Sequence, residues 1–238
     1  GRINADFIDN SAGVDTSDHE VNIKILLGIA VAAGDLTGKQ RNELLQEAEP
    51  DVARHVLYDN YLQAQILSQE AAVSHERIEA YEDLMVGLEQ EGLLERELES
   101  LPSTEEMGER ARTGQGMSRP ELCVLLAYAK RSLEMKIEDS GLPDDPFLLD
   151  AVRDYFPPLI TERFGHLAME HPLRRDLAST ITSNTVVNDL GITWASRLAA
   201  ETGSGAAEVG RAYWIARYVS GAKERWDAVE ALDGKVDP

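Results

Sequence analysis

The sequence predicts an all-α fold, an antiparallel multi-helix bundle preceded by a short N-terminal strand and turn. Three observations carry this expectation. Apolar residues recur at helical spacing from Val21 onward. Helix start signals of the capping-box kind recur at Ser17/Glu20, Thr37/Gln40, Ser103/Glu106 and Ser118/Glu121. Strand-like alternation is almost confined to the residues before Val14, and no fixed-period repeat points to a solenoid.

Taken in order, Ile3-Asn4-Ala5-Asp6-Phe7-Ile8 alternates apolar and polar residues and suits a half-buried strand. Small and polar residues come next as a turn, and Ser17 with Glu20 opens a helix through residue 33. Val21, Ile25, Leu26, Ile29 and Ala30 share one face of it, and Gly34 ends it. Thr37 and Gln40 open a short helix through Gln46, and Pro50 fits the first turn of a separate, long third helix. Its stripe is Ala53, Leu57, Asn60, Ala64, Leu67 and Ala71.

Residues 75–90 form an amphipathic helix through Ile78, Tyr81, Leu84, Met85 and Leu88, closing at Gly92. A charged arm leads through Leu101-Pro102 to the Ser103 start, and Gly114-Gln115-Gly116 makes a clear break. Beyond it Ser118, Pro120 and Glu121 open a helix whose core stripe is Leu122, Leu125, Leu126, Ala129, Leu133 and Ile137. Residues 141–146 read as a turn, and Pro157-Pro158 and His171-Pro172 punctuate the helical stretch after it. Helices over 172–190, 193–202 and 206–232 complete the chain.

The 238 residues carry a formal charge of −20, from 23 Lys and Arg against 43 Asp and Glu, and 43% are hydrophobic. That balance fits a soluble globule and argues against nucleic acid and anionic membrane surfaces, which call for basic patches. The single cysteine, Cys123, lies within Leu122-Cys123-Val124-Leu125-Leu126 and reads as a small buried apolar side chain. No apolar run approaches the ~20 residues of a membrane span, and no signal peptide is evident, so a cytoplasmic location is expected. Because the chain opens on Gly1-Arg2 and enters a strand pattern directly, it reads as cut from a longer polypeptide.

Chemistry concentrates near the N-terminus, in Asn10-Ser11-Ala12-Gly13-Val14-Asp15-Thr16-Ser17. A strand, a small-residue turn and a helix N-terminus together make a natural anion and ligand site. This run is similar to the Asn-Ala-Gly-Gly-Val…Ser element that closes the nucleotide-binding domain of glutamate dehydrogenases. It resembles more closely the very large NAD-specific enzymes of bacteria. Further blocks resemble that family in the same order: Leu57-Tyr58-Asp59-Asn60-Tyr61-Leu62-Gln63, Ser118-Arg119-Pro120-Glu121-Leu122, Leu125-Leu126-Ala127-Tyr128-Ala129-Lys130 and Leu142-Pro143-Asp144-Asp145-Pro146. So do His171-Pro172-Leu173-Arg174-Arg175, the run from Asn184 to Thr193, and Arg211-Ala212-Tyr213.

The resemblance covers the C-terminal part of the catalytic region and the helical domain beyond it. It implies that residues 1–17 are the last strand and turn of a Rossmann-like nucleotide-binding domain, with helical segments over 18–113 and 114–238. It implies NAD as cofactor, with Asn10 near the nicotinamide, and L-glutamate and 2-oxoglutarate as ligands. Val14 would line the substrate pocket and Ser17 would donate to a substrate carboxylate while also capping its helix. The departures are Ser11-Ala12, Asp15-Thr16 and Asp18-His19, the last standing where smaller hexameric enzymes carry aromatic residues. They imply a different pocket wall.

No Gly-x-Gly-x-x-Gly follows a strand, and none of Lys24, Lys39, Lys130, Lys136, Lys223 or Lys235 lies in a glycine-rich context. The chain is therefore expected to hold no catalytic residue and to be inactive alone, its partners being the upstream part of the same polypeptide and, in a homo-oligomer, further copies. The five histidines lack ligand spacing, so no metal site is expected. Arg174 and Arg175 read as interhelix salt-bridge donors, and Thr180, Asn184 and Asn188 as an interhelix polar row. The alternative from another class is a stand-alone acidic helical interaction module without catalysis.

Overall fold

The computed structural model describes residues 3–232 and 235; the opening Gly1-Arg2 lies outside them. Among the described residues the regular elements are helices: α1 (Asp6–Asp9), α2 (Ser11–Ala33), α3 (Gly38–Val73), α4 (Ile78–Gln90), α5 (Thr104–Thr113), α6 (Arg119–Glu138), α7 (Leu148–Asp154), α8 (Pro158–Phe164), α9 (Arg174–Leu190), α10 (Trp194–Thr202), α11 (Ala206–Ser220) and α12 (Ala222–Glu230). The closest packing is of α6 on α9 and of α2 on α3. Their shared core includes Leu26, Leu27, Leu67, Leu122, Leu126, Val186 and Val187, all essentially inaccessible.

The start signals at Thr37, Ser103 and Ser118 hold, each with the reciprocal box to Gln40, Glu106 and Glu121. The α6 stripe from Leu122 to Ile137 is buried as its spacing predicts, and Cys123 is buried beside it. Arg174 and Arg175 both reach Asp144, and Thr180 donates to Glu134 across to α6. The boxes and the stripe are readable because their partners lie within one turn or keep a single periodicity.

Several expectations are corrected. Among the described residues there is no strand: residues 6–9 form a helical turn instead. The Asp9 carboxylate accepts from the Asn4 backbone and amide at 2.8 and 2.7 Å, and Asn60 on α3 donates to the Ile8 carbonyl at 2.8 Å. Those polar groups find partners without a neighbouring strand, which six alternating residues cannot supply for themselves. Ser17 does not start a helix, because α2 runs unbroken from Ser11.

Pro50 does not separate two helices but sits inside α3. It and Gln46, whose carbonyl loses its donor there, are both exposed, so solvent can replace the missing bond. Upstream of Asn60 the α3 stripe is Val52 and Val56, with Ala53 and Leu57 exposed; on α2, Val21 is exposed while Ile23 and Leu27 are buried. The last predicted helix is divided into α11 and α12 by Gly221, whose φ is +59°.

One buried carboxylate fastens three elements. Glu70, near the end of α3, accepts from the Tyr81 hydroxyl on α4 and from the Ile192 N–H at 2.8 Å, just beyond α9. Gly191 has φ +101°, and a Cβ there would lie 2.2 Å from Glu70 Oε1. Gly191→Ala should therefore cost at least about 2 kcal/mol, from left-handed strain plus displacement of a satisfied buried carboxylate. Chemical denaturation measures this, and an unchanged midpoint would refute the clamp.

Candidate functional site

The face of α2 that bears the predicted binding residues is set by helical periodicity. Asn10 is the N-cap residue, and Val14 and Ser17 come at intervals of four and three. That spacing puts all three in one row about 10 Å long. All three are exposed, Val14 at 68%. The row continues through exposed Val21 and Lys24, whose ammonium pairs with Glu20.

The Asn10 side chain makes no cap hydrogen bond, which leaves its amide directed at solvent beside Gly13. Ser17 Oγ donates to the Val14 carbonyl at 2.6 Å. This corrects the expectation that Ser17 accepts from the backbone and keeps its proton free. Within a continuous helix the hydroxyl bonds back to the preceding turn, and the positive end of the helix lies near Ser11 rather than beneath Ser17.

The opposite face of α2 is packed and polar. His19 is buried, its ring stacked on Tyr155 at 4.3 Å and set edge-on to His55 at 5.7 Å. Asn22 donates to the Tyr155 hydroxyl at 3.1 Å, and its carbonyl accepts from Nε2 of buried His171 at 3.1 Å. Asp15 and Asp59, the latter on α3, bring carboxylates to 3.8 and 4.0 Å from His19 Nε2.

Burial first, and repulsion from Asp59 second, push the Asp15 carboxyl up to about 6. Burial pulls Lys130 down to about 8 against the opposing attraction of Asp59 and Asp15, and pushes Tyr155 up to about 12. Burial and the neighbouring His19 hold His55 below its ordinary value.

Sequence reasoning missed this cluster. Asp15, His19 and Asn22 share a helix face by spacing, and the departure at Asp18-His19 marked the place. Nothing local, however, announces that Asp59, some forty residues away, meets them.

Chemically, the exposed row offers an amide, a branched apolar side chain and a hydroxyl. These are groups that orient a ligand rather than react with it. The molecule is thus an acidic helical body with a two-faced α2, one face clamped and the other carrying an exposed row of an amide, an apolar and a hydroxyl side chain. Known proteins place it further. The family described as "Glutamate dehydrogenase, C-terminal" matches residues 114–238, and "Bacterial NAD-glutamate dehydrogenase, catalytic domain" matches residues 1–70.

Proteins named NAD-specific glutamate dehydrogenase are similar over nearly the whole chain. That of Halomonas elongata is 44% identical over 235 residues, covering 99% of this chain and 15% of the relative. That of Pseudomonas aeruginosa is 47% identical over 236 residues, again 99% and 15%. That of Mycobacterium tuberculosis is 36% identical over 233 residues, 98% and 14%. The chain belongs to the glutamate dehydrogenase C-terminal family. It spans about 15% of the length of the curated relatives it matches. Among the described residues no helix is long and apolar enough to cross a membrane.

His171 yields a pH dependence. Leu173 N–H donates to its Nδ1 at 3.1 Å, so the proton sits on Nε2 and the ring is neutral. Burial holds its pKa below 6.5. On acidification the unfolded chain takes up this proton first, so the stability contribution is full above the unfolded pKa and declines as pH falls toward the folded one. Wild type should lose more stability than His171→Gln between about pH 7 and pH 5. Urea titrations across that range test it, parallel curves being the contrary result.

Proposed function

We propose that this chain is the helical C-terminal portion of an NAD-dependent glutamate dehydrogenase acting in the cytoplasm, and that the row Asn10, Val14 and Ser17 forms one rim of its active site. The reaction is oxidative deamination of L-glutamate to 2-oxoglutarate and ammonia. The observation that carries the proposal is that the row stands exposed on a helix whose reverse side is fixed in the core. The relatives' names support the reaction and the cofactor.

In this reading residues 1–17 dock on a nucleotide-binding domain, with Asp6–Asp9 and the start of α2 as helix, and the segments 18–113 and 114–238 brace it. The match of a catalytic-domain description to residues 1–70 supports such docking. The uncapped, exposed amide of Asn10 suits the nicotinamide side of the rim. Bound NAD would supply the oxidising power, as hydride acceptor. Val14 packs along the substrate side chain, and Ser17 transfers its hydrogen bond from the Val14 carbonyl to a substrate carboxylate.

The catalytic lysine and acid belong to other parts of the polypeptide, since the row carries no group able to shuttle a proton and Lys24 is paired with Glu20. The chain by itself is accordingly inactive. Further copies of the polypeptide complete a homo-oligomer.

The test is Ser17→Ala in the full-length enzyme. Loss of a hydrogen bond to a charged group, worth about 1.5–3 kcal/mol, should lower kcat/KM for glutamate by roughly 10- to 100-fold. NADH affinity should be unchanged. Equal loss for cofactor and glutamate, or no loss for either, would remove Ser17 from the substrate rim.

A further inference from the structure

We propose that Asp15, His19 and Asp59 form a binding site for one divalent transition-metal ion, a pin between α2 and α3. The three side chains each offer a ligand atom, and these atoms lie within 4.8 Å of one another. Two helices contribute, so the grouping is a consequence of packing rather than of local sequence.

Two observations support the assignment independently. The His19 side chain is only 3% exposed, and its Nε2 faces the two carboxylates at 3.8 and 4.0 Å, beyond hydrogen-bond length from either. A buried ring nitrogen set between two carboxylates and bonded to neither calls for an explanation. Geometry supplies the second. Metal–nitrogen and metal–oxygen distances near 2.0–2.2 Å put neighbouring ligand atoms about 3.0–3.5 Å apart. The two gaps to His19, 3.8 and 4.0 Å, are too long for direct hydrogen bonds yet need only about 0.3–1 Å of closure around an ion. Stacking on Tyr155 already fixes the imidazole plane.

Charge agrees with geometry. Two carboxylates and a neutral imidazole carry −2, which a divalent ion balances. No arginine or lysine among the described residues pairs with either carboxylate; Lys130 feels the attraction of both aspartates and stops short of an ion pair. One imidazole with two carboxylates suits Zn(II) or Mn(II) better than Mg(II) or Ca(II), which favour all-oxygen shells. The competing arrangement is a proton shared by Asp15 and Asp59 with no ion.

The site lies on the face of α2 turned away from Ser17, so an ion there takes no part in chemistry. It would hold rotation and slide of α2 against α3, and with them the position of the exposed row. This role does not require the proposed dehydrogenase activity to be correct.

Zn(II) titration of the whole chain, metal-stripped and monitored by calorimetry and thermal melting, tests the site. The expected result is saturable binding of one equivalent and a raised Tm. Asp59→Asn and His19→Ala should each weaken binding by about tenfold or more and abolish the Tm rise, whereas Glu49→Gln on α3 should do neither. If His19→Ala fails to fold, Asp59→Asn decides, because the Asp59 side chain is 48% exposed and its loss leaves no hole. Absence of saturable uptake at millimolar Zn(II), or uptake unchanged in Asp59→Asn, would overturn the site and favour the shared proton.

Discussion

The Glu70 carboxylate is the joint on which the arrangement of the helices depends. At 2% exposure it cannot rely on water, and a buried carboxylate without donors would destabilise the fold by several kcal/mol. It instead takes the Tyr81 hydroxyl from α4 and the Ile192 N–H from the turn after α9. The phenol is held protonated in return, since burial and the adjacent carboxylate both raise its pKa. Glu70 is also where the catalytic-domain match ends, while Ile192 lies inside the C-terminal match. A polar contact that must be satisfied thus couples two regions recognised separately, with Gly191 providing the backbone approach that no other residue allows at that φ.

A separate set of contacts gives α2 its two-faced character. One side packs Ile23, Leu26, Leu27 and Ala30 into the core and sets His19 and Asn22 against Tyr155 and His171. The other side is left with Asn10, Val14 and Ser17 in a row. A helix that presents ligand-orienting groups must be stiff, because an ångström of drift is expensive for recognition. The buried polar contacts beneath provide stiffness that a purely apolar face would supply with less directional precision.

The range of each interaction decides whether it can be read from sequence. The boxes at Thr37, Ser103 and Ser118 close within three residues, and the α6 stripe repeats a single period, so both are legible. Ser17 and Glu20 show the same spacing, but a box needs a free helix end. Asn10 already occupies that end, so Ser17 turns to the Val14 carbonyl. The N-terminal alternation misled for a related reason: a strand is defined by its neighbours, whereas Asn4, Asp9 and Asn60 satisfy this segment as a turn. The row of candidate binding residues was legible through resemblance, and its exposure was not. The His19 cluster was illegible because its decisive member is on another helix.

The charge pattern separates joints from surface. Arg96 reaches Glu82, Glu89 and the Pro102 carbonyl; Arg110 grips Glu121 with both terminal nitrogens; Arg217 meets Asp189 beside Tyr213. Each is a planar fork that fastens one element to another, which a point-charge lysine does less well. Three lysines instead decorate exposed helix turns, in Lys24–Glu20, Lys39–Glu43 and Lys223–Asp227, where pairs contribute little to stability. In so acidic a chain, a carboxylate pair brought together between helices is expected to receive an arginine. Asp15 and Asp59 receive an imidazole instead, with Lys130 held back from contact. The departure falls directly behind the exposed row of Asn10, Val14 and Ser17, where a replaceable charge can tune the seat of α2 and a permanent guanidinium would fix it.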